Sequence, residues 1–323
     1  MNRRELRARL ISAFVGVVAW LALATLFPGV ARAAGEVALT YDDLTTLSLS
    51  PSTEYAEATT IKLLAGLRHH HLVATGFVNE GKLEGADRAE RIGLLRRWVQ
   101  AGVPLGNHTY SHNHFSLTPV DAYIADIERG EPVTRALLAE KHEALRWFRH
   151  PYLETGATLE ARDKLDHWLT EHGYRVAPVT MENADWVFAI PYDSAVMRGD
   201  KKGAKAIKAA YLEYTDFVTG WYESASVAVF GRKIRFVYLL HSCRLNADSV
   251  HEFAKILRQH ALVTVSLDRA TADPAYSTPD TYVGPDGNEW LERWSISLHK
   301  ELPWDTFKEP PKLIEAENNR LDR

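Results

Sequence analysis

Glu36-Val37-Ala38-Leu39-Thr40-Tyr41-Asp42-Asp43 is an apolar, β-branched run that closes on two adjacent carboxylates. Its residues 36–41 read as a strand, and a helical pattern at 53–70 and a second strand at 72–78 follow it. Strand, helix and strand in that order predict a βαβ unit, and therefore a parallel sheet. The alternation continues along the chain. Further strands are expected at 103–107, 144–148, 174–180, 235–241 and 262–267, with helices at 87–100, 120–140, 158–172, 205–222 and 249–259. In the helix at 205–222, Ile207, Tyr211, Tyr214, Val218 and Trp221 recur at steps of four and three, which gives one apolar stripe for a core. Seven strands with helices between them place the chain in the α/β class.

The 323 residues allow one large α/β domain with additions. A formal net charge of −4 gives no global bias toward nucleic acid or anionic membranes. Residues 1–33 read separately. Arg3, Arg4, Arg7 and Arg9 precede an uncharged apolar run, Pro28-Gly29 breaks it, and Ala31-Arg32-Ala33 offers a small-residue cleavage site. This is the pattern of a secretory signal peptide cleaved after Ala33, although the apolar run is long enough to serve as an uncleaved anchor. In either case the domain is expected to be exported, periplasmic or extracellular. Cys243 is the only cysteine, so no disulfide forms within the chain. After 267 the sequence becomes rich in proline and turn signals. Residues 34–267 are therefore expected to form the main domain, and 268–323 an extension packed on it with a flexible, charged tail.

Four polar clusters fall at or just after expected strand ends, where α/β folds gather their sites. Asp42 and Asp43 close the first strand; on a regular strand they point to opposite faces, so they can share a site only if the strand ends or bulges there. By themselves they are also compatible with an ordinary turn. His108 and His112, four apart, would share one face of a helical turn and could grip one metal through imidazole nitrogens. With Asp43 they make a two-nitrogen, one-carboxylate set that suits Zn2+ and tolerates other first-row divalent ions such as Co2+, Ni2+ or Mn2+. Arg149, in Arg149-His150-Pro151-Tyr152, would keep Asp42 ionised and oriented. His241 emerges from the apolar strand Phe236-Val237-Tyr238-Leu239-Leu240, where it could act as a general acid or sit as a satisfied core histidine.

Taken together, Thr40-Tyr41-Asp42-Asp43, His108-Thr109-Tyr110-Ser111-His112, Arg149-His150-Pro151-Tyr152, Asp185-Trp186 and Leu240-His241 resemble the motifs of the NodB-type polysaccharide deacetylases, carbohydrate esterase family 4. All five occur in that family's order. The resemblance implies an irregular (β/α)7 barrel and hydrolysis of N-acetyl groups from an N-acetylhexosamine oligo- or polysaccharide, chitin-like or peptidoglycan. It implies a metal held by Asp43, His108 and His112, with Asp42 as base, Arg149 holding it, and His241 as acid oriented by Asp185. It further implies a Tyr152 backbone N–H directed at the oxyanion, and Leu240 and Trp186 lining the acetyl pocket. Two departures stand out: Tyr41 replaces the usual Phe, and the segment around Asp185 is looser than the family's common form.

Other residues receive plainer readings. His69-His70-His71 closes a helix, where polar or cationic groups suit the C-terminal dipole. Trp290 and Trp294 form a face that seals the extension onto the barrel. Asn79 and Glu80, just past the second strand, are expected to touch substrate. The stretch 191–203 is read as a loop that, with the extension, decides how open the site is. The partner implied is an N-acetylated carbohydrate, with neither nucleic acid nor a protein partner. Two rival readings keep the scaffold: an amidase for a non-sugar amide or imide, and a non-catalytic carbohydrate-binding relative.

Overall fold

Strand β1 (Gly35–Leu44) is the hub of the sheet, and every residue from Val37 to Leu44 is buried. The computed structural model describes residues 34–321; the expected signal segment lies outside them. Around β1 stand β2 (Ala74–Val78), β3 (Leu105–Asn107), β4 (Trp147–Phe148), β5 (Arg175–Val176), β6 (Met181–Glu182), β7 (Phe236–His241) and β8 (Leu262–Thr264). All pairs are parallel and run β5-β4-β3-β2-β1-β7-β6, with β8 pairing the first residues of β1. The result is a curled half-barrel of seven strands whose ends, β5 and β6, do not pair with each other. The α/β expectation and the irregular barrel are both met.

The helices are α1 (Thr53–His69), α2 (Arg88–Gln100), α3 (Val120–Arg129), α4 (Pro132–Ala139), α5 (Leu159–Glu171), α6 (Asp185–Met197), α7 (Lys201–Phe230), α8 (Arg244–Gln259), α9 (Leu267–Thr271), α10 (Trp290–Ser297) and α11 (Lys312–Leu321). They cover the outside of the sheet, and one large core fills the space between, with Trp98 and Phe148 buried completely or nearly so. The inner face is filled by a smaller cluster of Ala38, Phe77, Trp147, Ala177, Val237, Leu267 and Ala270, so residues of α9 close the barrel from within. Among the described residues no helix is long and apolar enough to cross a membrane.

Several elements differ from the sequence reading. The expected strand at 174–180 is two short strands: Ala177 N–H donates to Phe148 O, while Thr180 N–H donates to Val237 O. The chain thus leaves the β4 side and crosses the opening to β7, and Pro178 between them has no N–H to continue a ladder. The helix expected at 120–140 breaks into α3 and α4, because Pro132 can only begin a helix and Gly130 ends one. Gly130 is required there: a Cβ would meet Tyr110 N at 2.6 Å, so only glycine lets the end of α3 lie against that backbone. Residues 191–203 are not a loop, since α6 runs through Pro191 to Met197 and α7 begins at Lys201. The strand expected to reach 267 stops at Thr264, and Leu267 opens α9. The charged tail forms α11 and packs on α6, with Ile314 against the core and Asn318 buried.

Candidate active site

The site is built at the C-terminal ends of β1, β3, β4 and β7. Between Tyr41↔Gly76 and Leu44↔Val78 the β1–β2 register slips by one residue, and Asp43 has φ +64°. This is a bulge, and it removes the alternation that would point Asp42 and Asp43 to opposite faces. Both carboxylates are buried, at 2% and 7% exposure, and both look toward His108. Each also has a buried Oδ1 with no hydrogen-bond partner. Orphaned buried oxygens are costly unless something comes to them.

Asp43, His108 and His112 present ligand atoms within 4.8 Å of one another. Asp43 Oδ1 is 3.6 Å from His112 Nε2 and 3.9 Å from His108 Nε2. The two imidazoles do not share a helical turn. An irregular loop with positive φ at Thr109 and His112 folds them together, their ring centroids 4.8 Å apart. The loop is tied down by Thr109 N–H to Asn107 Oδ1, His112 N–H to Thr109 Oγ1, and Ser111 to the Asp126 carboxylate. His108 Nδ1 lies 2.8 Å from Arg149 O. A carbonyl only accepts, so Nδ1 carries the hydrogen and Nε2 turns its lone pair into the site. Burial first, then His112, holds the His108 imidazole well below its usual range, and burial likewise lowers His112, so both are neutral at pH 7. Burial would raise Asp43, but Lys82 and the neighbouring histidines outweigh it and keep it ionised. Two neutral nitrogens and one ionised, orphaned oxygen fit a divalent metal ion.

Asp42 pairs across the strands with His241. Arg149, fully buried, reaches Asp42 Oδ2 with Nη1 at 3.1 Å, Thr40 Oγ1 with Nη2 and Ala177 O with Nε. Burial pushes the Asp42 carboxyl up to about 6 against the pull of Arg149 and His241. That leaves it basic enough to take a proton near neutral pH. On the other side, His241 Nδ1 is 2.6 Å from Asp185 Oδ1, while Asp185 Oδ2 accepts from His241 N–H. Burial would lower His241, but the charge and hydrogen bond of Asp185 raise it further, to about 9. The pair therefore carries an imidazolium at pH 7. Asp185 is held in turn at the first turn of α6, where the helix dipole favours a carboxylate, and by Asn246 Nδ2 at 2.5 Å.

The remaining residues divide. Tyr152 and Trp186 are 47% and 44% exposed, the Tyr152 ring packed against His112 and His114, whereas Leu240, one residue before His241, is buried in the core. Asn79 does not face solvent. It is 1% exposed and its amide donates to His108 O, so it positions the metal-binding loop and has no surface for a sugar. Glu80 likewise caps α4 through Val133 and Thr134 N–H. Trp290 and Trp294 are buried in α10, and Cys243 is a buried packing residue.

Four residues escape a reading of the sequence. Lys82 places Nζ 3.2 Å from Asp43 Oδ2, and Asn246 bonds both Asp185 and the His241 carbonyl. His114 stacks on Tyr152 at 3.7 Å between centroids and bonds Glu154 at 2.7 Å. Only Lys82 carried a signal, its position just past a strand end; the others come from loops and helices that no spacing connects.

The chain matches the model of the polysaccharide deacetylase family over residues 30–176. It is 30% identical over 151 residues to a peptidoglycan-N-acetylglucosamine deacetylase of Bacillus cereus, a match covering 47% of this chain and 46% of that protein. The chain thus matches under half the length of that relative. The chitin deacetylase of the fungal pathogen Colletotrichum lindemuthianum has a similar fold, with a TM-score of 0.52 at 19% identity over 80% of this chain and 94% of that one. The family match contains Asp42, Asp43, His108, His112, Arg149 and Tyr152 and stops before Asp185 and His241, which the fold itself brings to the same strand ends. Residues 30–176 thus carry the sequence match to the polysaccharide deacetylase family, a family of hydrolases.

Proposed function

We propose that this protein removes N-acetyl groups from an N-acetylhexosamine oligo- or polysaccharide, releasing acetate, with peptidoglycan or chitin-like chains as the substrate class. One observation carries the reading: Asp42, with its unpartnered Oδ1, stands beside the Asp43–His108–His112 cluster and next to the Asp185-bonded His241 on the neighbouring strand, so a base and an acid meet at one candidate metal site. Asp43, His108 and His112 would hold the divalent ion, with Zn2+ suited to this donor set and Co2+, Ni2+ or Mn2+ tolerated. When bound, such an ion acidifies a water and polarises the acetamide carbonyl.

The chain's own groups do the rest. Asp42 Oδ1 takes the proton of the attacking water while Arg149 holds Oδ2, so the carboxylate cannot rotate away. The Tyr152 backbone N–H donates to the oxyanion as it develops. The His241 imidazolium gives its proton to the departing amine, oriented by Asp185. Trp186 walls the acetyl pocket, while Leu240, buried in the core, offers it no surface. The expectation that 1–33 direct export places the enzyme in the periplasm or outside the cell, where such polymers occur.

The test is acetate release by the purified protein, before and after chelation and re-addition of Zn2+. It is run on N-acetylglucosamine oligomers, peptidoglycan, chitin and a panel of small amides and cyclic imides. Metal-dependent release from the sugars supports the reading. Turnover of the small amides or imides alone would replace it with an amidase, and sugar binding without turnover would replace it with a binding protein.

A further inference from the structure

Lys82 lies in a 3-10 turn, Glu80–Leu83, directly after β2. The turn is anchored on several sides: Glu80 caps α4, Lys82 N–H donates to Asn79 O, and Arg91 Nη1 donates to Lys82 O. From this base Nζ reaches Asp43 at two points, Oδ2 at 3.2 Å and the backbone O at 3.3 Å. The lysine side chain is 31% exposed and the Asp43 side chain 10%. The contact therefore lies at the edge of a buried site and not on open surface, where such pairs count for little.

The consequence is asymmetric. Oδ2 of Asp43 is taken by the ammonium, while Oδ1, buried and without a partner, is the oxygen that faces His112 and His108. Charge adds a second effect. With both imidazoles neutral, the ligand set carries the single negative charge of Asp43, and Lys82 cancels it. A divalent ion entering the site meets a fixed positive charge a few ångströms behind its only anionic ligand, and Coulomb repulsion at that range is large even when partly screened.

We infer that Lys82 is a positioning residue for the metal: it reserves Oδ1 of Asp43 as the coordinating oxygen and holds down the affinity of the site for divalent cations. The loss of affinity has a use. A ligand set without net negative charge leaves more of the ion's positive charge to act on water and carbonyl. The inference rests on Asp43, His108 and His112 being a metal site, and the experiment separates the two.

Metal-free full-length protein is titrated with Zn2+, and separately with Co2+, against a chromophoric chelator. Wild type is compared with Lys82→Gln, which keeps a hydrogen-bond donor without the charge, and with Lys82→Arg, which keeps the charge. Lys82→Gln should bind roughly tenfold more tightly or better, the scale on which outer-shell groups tune metal sites. Lys82→Arg should stay within about threefold of wild type, as a charge effect demands. Circular dichroism and thermal melts on all three confirm folding, which the partly exposed side chain should not disturb. Equal or weaker binding by Lys82→Gln overturns the proposal alone. Failure of wild type to take up either metal overturns the metal-site reading, and the proposal with it.

Discussion

Arg149 Nη1 stands 3.1 Å from Asp42 Oδ2, with the guanidinium completely buried and the carboxylate nearly so. Removing one partner of such a pair leaves the other charge stranded, at a cost of about 3–5 kcal/mol. Here the cost has a ceiling. Asp42 already sits near 6, so taking up a proton at pH 7 costs only about 1.4 kcal/mol per pH unit. Arg149→Met is therefore expected to lose about 3 kcal/mol in urea unfolding, near the low end of the range. Because Arg149 pulls the Asp42 carboxyl down, its loss should also move the acid limb of kcat/KM to higher pH. An unmoved limb would mean that Asp42 is not the group titrating there.

Asp42→Asn separates the base from the metal. Asp42 Oδ2 belongs to Arg149, and the metal candidates are Asp43, His108 and His112. Zn2+ uptake should thus stay within a few-fold of wild type, while acetate release falls by about 10²–10⁴, the usual contribution of a positioned base. His108→Ala and His112→Ala should instead abolish uptake. His108→Ala should also lower the melting temperature more, because His108 is 3% exposed at its side chain and His112 24%.

The His241–Asp185 pair predicts an alkaline limb. Burial works against the imidazolium, but Asp185 raises it to about 9, so the acid stays protonated at neutral pH and is lost as pH climbs through that value. Asp185→Asn removes the charge that does this. The alkaline limb of kcat/KM should then move down by at least about one pH unit. It should move alone, with the acid limb in place. A shift of both limbs together would point to a rearranged site in place of a lost ion pair.

How far the site could be read in advance depends on which contacts are local. The apolar run before Asp42-Asp43 and the run before His241 announce strands, and parallel strands end on one side, so the two clusters had to approach each other. The sequence could not reveal the bulge at Asp43, since a one-residue register slip depends on the partner β2. Nor could it reveal the His108–His112 loop, whose spacing imitates a helix while its shape depends on Gly130 and Asp126 arriving from α3. Asn79 looked like a strand-end contact and is buried, because the His108 loop folds over it. From Pro191 onward the sequence reads as a loop, yet that proline sits within α6, whose flanking residues are almost all buried, and packing overrides its propensity.

Asp273 ties the extension to the start of β7. It accepts from Arg232, from Arg235 N–H at 3.0 Å and from Ala275 N–H at 2.9 Å. Burial raises its carboxyl, but Arg232 and the two backbone donors lower it more, to about 2. A depressed carboxyl stabilises the fold above its unfolded value near 4 and loses that contribution as pH falls through 2. Allowing for an Arg232 side chain 44% exposed, the contribution at pH 7 is about 1–2 kcal/mol. Asp273→Asn should show that deficit in urea midpoints at pH 7 and close most of it near pH 2. A deficit independent of pH would assign the loss to shape and not to charge.

Gly287 brings the extension to the site itself. A Cβ at this position would collide with the carbonyl oxygen of Tyr152, the residue proposed to offer its N–H to the oxyanion. Tyr152 has φ +54°, an unfavourable conformation for a side-chain-bearing residue, and its ring is pressed between His114, stacked at 3.7 Å, and His112. Gly287→Ala must push either the extension outward or the Tyr152 peptide inward. Zn2+ uptake should not change, since Asp43, His108 and His112 hold their places without Gly287. The fall should appear in kcat more than in KM, by about tenfold to a hundredfold, as expected when a donor to the transition state is displaced by a fraction of an ångström. His114→Ala offers a control from the other side: it frees the ring but leaves the Tyr152 peptide in place, so it should lower kcat less. If Gly287→Ala raised KM alone, the extension would be shaping the groove and not the oxyanion contact.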